Sequence, residues 1–293
     1  MKIFRAMLLV ALCGVVVIGL SSCTSWDQGW KGIKDMDRKG DVSGLIAQAN
    51  KQIADADSKE KVAELIRTYE QVLEIEPANY EALWSLGGYY VMMGTAYSDS
   101  VKLKKEYYLK AIRMCERGMY TNSGFKKLVD GGAPVWDASS VLTNREMEAM
   151  FYWYSSIGAY FSECMNPVER IFNLRLIGHN KKMLDRMIAI DPLWHGGHPY
   201  AAMAVYYAVL PSIMGGDLKK SSEYYSKAVE VGNEYLYARF FRAKFLHAKT
   251  RDREAFRKDL EWVLARDPHK ALTPYPWSVY YQREAKKMLD QNK

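Results

Sequence analysis

The 293-residue sequence is short of the groups that usually advertise chemistry. It has five histidines, and only His195 and His198, in "HGGH", stand close together. A zinc site needs three or four ligands, and this spacing matches no metal motif, so no metal is expected. There is no Gly-x-Ser-x-Gly, no P-loop and no dinucleotide fingerprint. Neither a catalytic centre nor a cofactor is expected. Charge of one sign is in modest excess, with a formal net charge of +7 and no dense Lys/Arg block. That excludes an ordinary nucleic-acid face. Cysteine is scarce too: besides Cys13 and Cys23 there are only Cys115 and Cys164. Those two could form a bridge in an oxidising compartment or sit as small buried hydrophobes. After residue 20 no long apolar run occurs, which leaves no second candidate span.

What is present begins at the amino terminus. Lys2 and Arg5 precede an apolar run from Ala6 to Leu20 that closes in small residues. A span needs about 20 apolar residues, so this layout is that of a secretory signal. Leu20-Ser21-Ser22-Cys23 resembles the bacterial lipobox. The resemblance implies cleavage before Cys23, acylation of Cys23, and a lipid-anchored mature protein in the cell envelope. Several acyl chains hold a protein on a bilayer, at about 0.8 kcal/mol per buried methylene. Thr24, rather than Asp, after the lipid cysteine leans toward the outer membrane, facing the periplasm. Loss of residues 1–22 removes Lys2 and Arg5 and takes the formal charge from +7 to +5. Residues 23–41 then read as a tether. Trp26 and Trp30 have two readings: resting in the membrane interface, where Trp is favoured, or docking on the folded body.

Residues 42–293 have a helical period throughout. Val42, Leu45, Ile46, Ala49 and Ile53 share one face, and Val62, Leu65, Ile66, Tyr69, Val72 and Leu73 another. Three phrases, "VLEIEP", "MIAIDP" and "VLARDP", end apolar helices in an acid and a proline. Proline cannot continue a helix and pushes the preceding residue out of helical geometry. Tetratricopeptide helix pairs end this way. Leu83, Leu86-Gly87 and Tyr90 match repeat positions, with Gly87 small enough for close approach of the partner helix. Ala238, Phe241, Phe245 and Ala248 are spaced as one further helical face. Thr143 to Glu146 is a capping-box pattern and Asn166-Pro167 a helix start. The expected fold is all-α: a solenoid of helical hairpins with degenerate repeats.

Aromatics are plentiful, and most belong to the cores between hairpins. Tyrosine pairs recur, and neighbours on a helix point about 100° apart, so one ring of each pair can pack inside while the other lines a groove. Trp84, beside core Leu83, is expected on the groove side. Trp84, Tyr154, Trp194 and Tyr207 carry rings that their helices' core patterns do not require. They are expected to line a pocket for an apolar small molecule.

The stretch 193–230 resembles the T component of TRAP-type transporters, a family of exported lipoproteins with degenerate tetratricopeptide-like helices. The resemblance rests on Gly196-Gly197-His198-Pro199, Leu210-Pro211, Gly215-Gly216-Asp217 and the Tyr224/Tyr225/Ala228 helix, all in the family's order. His-Pro replaces the family's Pro-His, and Ala201-Ala202 its Leu-Gly. These motif residues also have a structural reading: Gly215 as a left-handed terminator and Asp217 as a helix cap. The resemblance implies a periplasmic solute-binding (P) subunit as partner, a homo-oligomer, and a cleft holding hydrophobic ligand. The competing reading is a general tetratricopeptide adaptor lipoprotein in envelope assembly or secretion.

Overall fold

The computed structural model describes residues 26–32 and 39–292. The signal segment and Cys23 lie outside the described residues. Within them the chain is all-α, with no strand.

The first four helices show why the sequence folds as it does. They are α1 (Val42–Ile53), α2 (Lys59–Ile75), α3 (Tyr80–Ala96) and α4 (Val101–Tyr120). Each opens on a side-chain cap: Asp41, Ser58, Asn79 and Ser100 accept from the backbone N–H groups of Gly44, Lys61, Ala82 and Leu103. Such caps satisfy donors that the first helical turn leaves unpaired. α2 stops just before the first "EP" phrase, as expected. Each helix packs on the next in the chain, and α3 on α4 most extensively. Gly87 permits that closeness, since a Cβ there would run into Cys115 Sγ.

A short helix, α5 (Ser123–Asp130), leads through turns to α6 (Met147–Ala159). Thr143 and Glu146 form the expected capping box before it. α6 packs on both α3 and α4 and then on α7 (Arg175–Ile190). The second half comprises α8 (Trp194–Val209), α9 (Leu218–Val231), α10 (Leu236–Phe241), α11 (Arg253–Leu264) and α12 (Tyr275–Gln291). Gly215 is left-handed at φ 90°, and Asp217 caps α9 by accepting from Lys219 and Lys220. Both act as the sequence predicts.

Two features depart from the sequence reading. π-helical turns follow α6 at Tyr160–Cys164 and α10 at Arg242–His247. The second breaks the straight face expected of Ala238, Phe241, Phe245 and Ala248, because a π turn inserts an extra residue into the helical repeat. The tyrosine-pair logic holds at Tyr107/Tyr108 and Tyr224/Tyr225, where one ring is buried and one half-buried. It fails at Tyr89/Tyr90 and Tyr280/Tyr281, where both are buried. Cys115 and Cys164 are free thiols.

Residues 26–32 dock on the body. The Trp26 indole donates to Glu116 Oε1 at 2.9 Å, and the Gly29 N–H donates to Glu116 Oε2 at 2.7 Å. Trp30 stacks on Tyr120 with centroids 5.4 Å apart. Of the two readings of these tryptophans, the structure has the docked one. Gly29 is required by proximity, since a Cβ would meet the Arg113 carbonyl.

Candidate functional site

α6 presents Glu148, Phe151, Tyr152 and Ser155, at i, i+3, i+4 and i+7, along one stripe. These four stay partly accessible, while Met147, Met150, Trp153 and Ile157 on the other side are buried in the core. Across from the stripe stands the start of α8. There His195, Gly196 and Gly197 take left-handed geometry in succession, at φ 46°, 70° and 80°. For His195 that conformation is strained, at about 1–3 kcal/mol. It is held from two sides. The Tyr237 hydroxyl donates to the carbonyls of His195 and Gly196, at 2.8 and 2.7 Å. His195 Nε2 lies 2.8 Å from Glu148 Oε1. The turn swings Trp194 and His198 toward α6.

The result is a continuous ladder of rings running from α3 through α6 to α8 and α10. Trp84 of α3 lies parallel to Tyr152, centroids 6.4 Å apart. Tyr152 meets Phe151 at 5.3 Å. Phe151 meets Trp194 at 5.6 Å and His198 at 4.2 Å. His198 then stacks on Tyr237 at 3.7 Å. From the far side, Trp277 of α12 packs against the same core cluster as Tyr152 and stacks on Tyr281 at 6.0 Å. Gly88 leaves the space Tyr152 needs, since a Cβ would run into that ring.

The ladder is neither sealed in the core nor fully exposed. Tyr152 and His198 keep accessible surface. Yet protein surrounds them closely enough for burial to push the Tyr152 phenol well above its usual range. Burial, helped by repulsion from His195, pulls the His198 imidazole down to about 3. His198 is therefore neutral at physiological pH. Its Nε2 is buried without a hydrogen-bond partner, a polar atom left over in an aromatic wall.

Of the four rings expected to line a pocket, the structure brings Trp84 and Trp194 into this one ladder, linked through Tyr152 and Phe151. Tyr154 and Tyr207 go elsewhere. The Tyr154 hydroxyl donates to the Ala202 carbonyl at 3.1 Å, joining α6 to α8. Tyr207 stacks on Tyr224 at 5.8 Å beneath Lys220. Both pack around Leu184, Ala202 and Met203. Of the motif residues, Gly196, Gly197 and His198 build the turn that carries the site, whereas Pro211, Gly215, Gly216 and Asp217 shape the link between α8 and α9. A Cβ on Gly216 would run into the Leu210 carbonyl. Sequence reasoning missed Phe151, Tyr152, Tyr237 and Trp277. The stripe spacing in α6 is the signal that could have found the first two.

The chain matches the family described as TRAP transporter T-component over residues 57–293. No curated protein matches it.

Proposed function

This chain belongs to the TRAP transporter T-component family, and from that premise we propose that it is an envelope lipoprotein that holds an apolar ligand and binds a periplasmic solute-binding (P) subunit. Membership ties it to TRAP transport at the cell envelope. The observation that carries the ligand reading is the ladder: the rings of Trp84, Phe151, Tyr152 and Trp194 touch one another in series and stay only partly buried. Small-molecule sites have this composition, mostly apolar and aromatic with a few polar atoms. Trp84 and Trp194 make the ligand contacts, and the stacked hairpins act as degenerate tetratricopeptide-type units that frame them.

A protein partner is supported by a second feature. The short helix Pro167–Phe172 exposes Val168 (62%), Ile171 (66%) and Phe172 (40%) side by side. Apolar side chains grouped this way on an outer face mark an interaction surface. Cys23, acylated, anchors the protein to the membrane, and copies of the chain associate in a homo-oligomer.

The test is purification of the full-length protein from membranes under native conditions, with identification of its companions. A solute-binding subunit, lost in an Ile171→Asp variant, is the expected one. Barrel-assembly or secretion subunits in its place would establish the adaptor reading instead. Fatty-acid labelling of the wild type and its loss in Cys23→Ala test the anchor.

A further inference from the structure

The docked N-terminal segment and the short helix α5 build one face of the molecule, at the end where α4 stops and α6 starts. Trp26 and Gly29 are pinned on Glu116, and Tyr120 lies about one turn further along α4. Trp30 packs on Tyr120 and Phe125, with ring centroids 5.4 and 6.1 Å away. α5 buries Phe125 and Val129 and exposes Lys126, Lys127 and Asp130. Lys126 Nζ lies over the Tyr120 ring, 5.1 Å from its centroid. Val141 is exposed, and a Cβ on Gly124 of α5 would touch it. Half-covered rings, an aliphatic side chain and lysines together suit the boundary between water and lipid.

The charges of this face are one-sided. Lys31, Lys126 and Lys127 are exposed and have no ion pair among the described residues. Asp27 is matched by Arg113 at 3.7 Å. That leaves Asp130, which accepts from the Tyr120 hydroxyl at 2.9 Å, against the three lysines. The opposite end of the molecule lies well away. α4 and α6 run antiparallel, with Glu116 beside Trp153 and Lys104 beside Glu163, and Lys104 is about 18 Å from Glu116 at the rise of a helix. The apolar helix Pro167–Phe172 follows Glu163 in the chain and belongs to that far end. α8 runs in the same direction as α6, from the His195–Glu148 contact to the Tyr154–Ala202 bond, so the start of α9 lies at the far end too.

Chain length decides which end meets the bilayer. Cys23 precedes Trp26 by three residues, a reach of about 11 Å at full extension. An acylated Cys23 therefore keeps Trp26, and the body pinned to it, close to the headgroups. That reach is comparable to the Debye length of about 10 Å at 0.1 M salt, so charges beside Trp26 feel the charge of the lipid surface. We infer that the face formed by Trp30, Lys31, Lys126 and Lys127 rests on the membrane, and that its partner is the headgroup layer of anionic phospholipids. The inference rests on the lipid-anchor reading above. Lysines suit this partner, because an ammonium on a flexible stem is a point charge that needs no fixed geometry to meet a mobile phosphodiester. Each basic residue near an anionic bilayer strengthens the hold about fivefold. The exposed side chains of Pro167–Phe172 then point away from the bilayer, where a protein partner can reach them.

The test uses the full-length protein purified from membranes and placed on vesicles of phosphatidylcholine, with or without phosphatidylglycerol. Lysines are modified with an amine-reactive reagent and located by mass spectrometry, and the same spectra report whether Cys23 carries its lipid. With phosphatidylglycerol present, Lys31, Lys126 and Lys127 are expected to react about fivefold more slowly than on neutral vesicles, and high salt should restore their reactivity. Lys102, at the start of α4, and Lys219, at the start of α9, are the far-end references and should not change. In a Lys126→Glu/Lys127→Glu variant, Lys31 should react alike on both kinds of vesicle. Acylated protein whose three lysines react equally on both, or whose Lys102 and Lys219 are protected instead, overturns the membrane face and leaves the anchor standing. A Cys23 without lipid overturns the anchor and this inference with it. The comparison on the wild type decides the question even if the variant misfolds.

Discussion

Glu116 and Lys244 are both charges set among aromatic rings, one beside the docked N-terminal segment and one in the second π turn. Glu116 is 1% exposed, and its hydrogen bonds are internal. Trp26, Gly29 and Trp153 all donate to it, at 2.9, 2.7 and 3.3 Å. Lys244 is exposed, lies over the rings of Phe240 and Phe245, and has no such partner among the described residues. A buried charge is tolerated when hydrogen bonds replace the water it has lost. Glu116 meets that condition within the chain, so its role is to hold structure. Lys244 is exposed, and water meets it. The same contrast separates the rings. Trp153 is buried in the core with its indole engaged, whereas Trp84 and Trp194 are left partly uncovered.

The largest effect is expected at Glu116. Glu116→Ala leaves three donors without an acceptor, and removing one member of such a buried polar set costs about 3 kcal/mol. Chemical denaturation should show that loss, with faster proteolysis near residues 26–32 and a red shift of tryptophan emission. Unchanged stability would mean that the docked segment contributes nothing, and the contrast with Lys244 would collapse.

Acid should act on a different carboxylate. Burial alone would raise the Asp259 pKa, but hydrogen bonds and charge from Arg242 and His247 outweigh it and hold the group at about 2. A depressed carboxylate pKa contributes stability that is present above the ordinary aspartate value of 3.8 and is lost as pH falls from there toward 2. Glu116 has the opposite sign. Burial raises its pKa, and the hydrogen bonds from Trp26, Gly29 and Trp153 only partly offset that. Protonation is therefore easier in the folded state, and the contribution of Glu116 becomes more favourable as pH falls through its raised value. Hydrogen exchange measured by mass spectrometry, corrected for intrinsic rates, should show residues 26–32 no looser at pH 5 than at pH 7. The α10–α11 region should open only below about pH 4. Loosening of the docked segment first on acidification would reverse the assignment.

A third prediction separates the rings. Trp84→Ala or Trp194→Ala should weaken parinaric acid binding by about 1 kcal/mol or more, the scale of one lost aromatic contact, with the circular dichroism spectrum unchanged. Tyr207→Ala, outside the ladder, should leave binding as it was. Parental affinity in both tryptophan variants would make the ladder mere packing.

The smallest expected effect is on the stability of Lys244→Met, within about 0.5 kcal/mol of the parent. A loss as large as that of Glu116→Ala would show that Lys244 has a structural partner.

Much of the frame was legible because its signals are local. The proline phrases end α2, α7 and α11, and Thr143, Asn166 and Asp217 cap the helical turns that begin beside them, each through contacts two or three residues away. Gly87 and Gly215 declared themselves by size and by backbone freedom. The site was less legible because its contacts are distant in sequence. Nothing in "FYWY" indicates that Phe151 will meet Trp194 and His198, or that Tyr152 will meet Trp84 and Trp277. The π turn at Arg242–His247 lies inside a stretch whose spacing reads as regular helix, so the position of Lys244 could not be deduced from periodicity. Glu116 was invisible for the opposite reason. A lone glutamate in an amphipathic helix reads as solvated, and only a segment some ninety residues upstream makes it a buried acceptor. Tyr154 and Tyr207 were singled out by the same surplus-ring reasoning as Trp84 and Trp194. They fell outside the ladder because Tyr154 reaches the Ala202 carbonyl on α8, while Tyr207, itself on α8, turns to Tyr224 on α9.

The most direct test is a crystal structure of the protein grown with a long-chain fatty acid carrying bromine at its tail, located by anomalous scattering. The bromine is expected among Trp84, Tyr152 and Trp194. Bromine found only on the outer surface, or a ladder closed by repacked rings, would contradict the account.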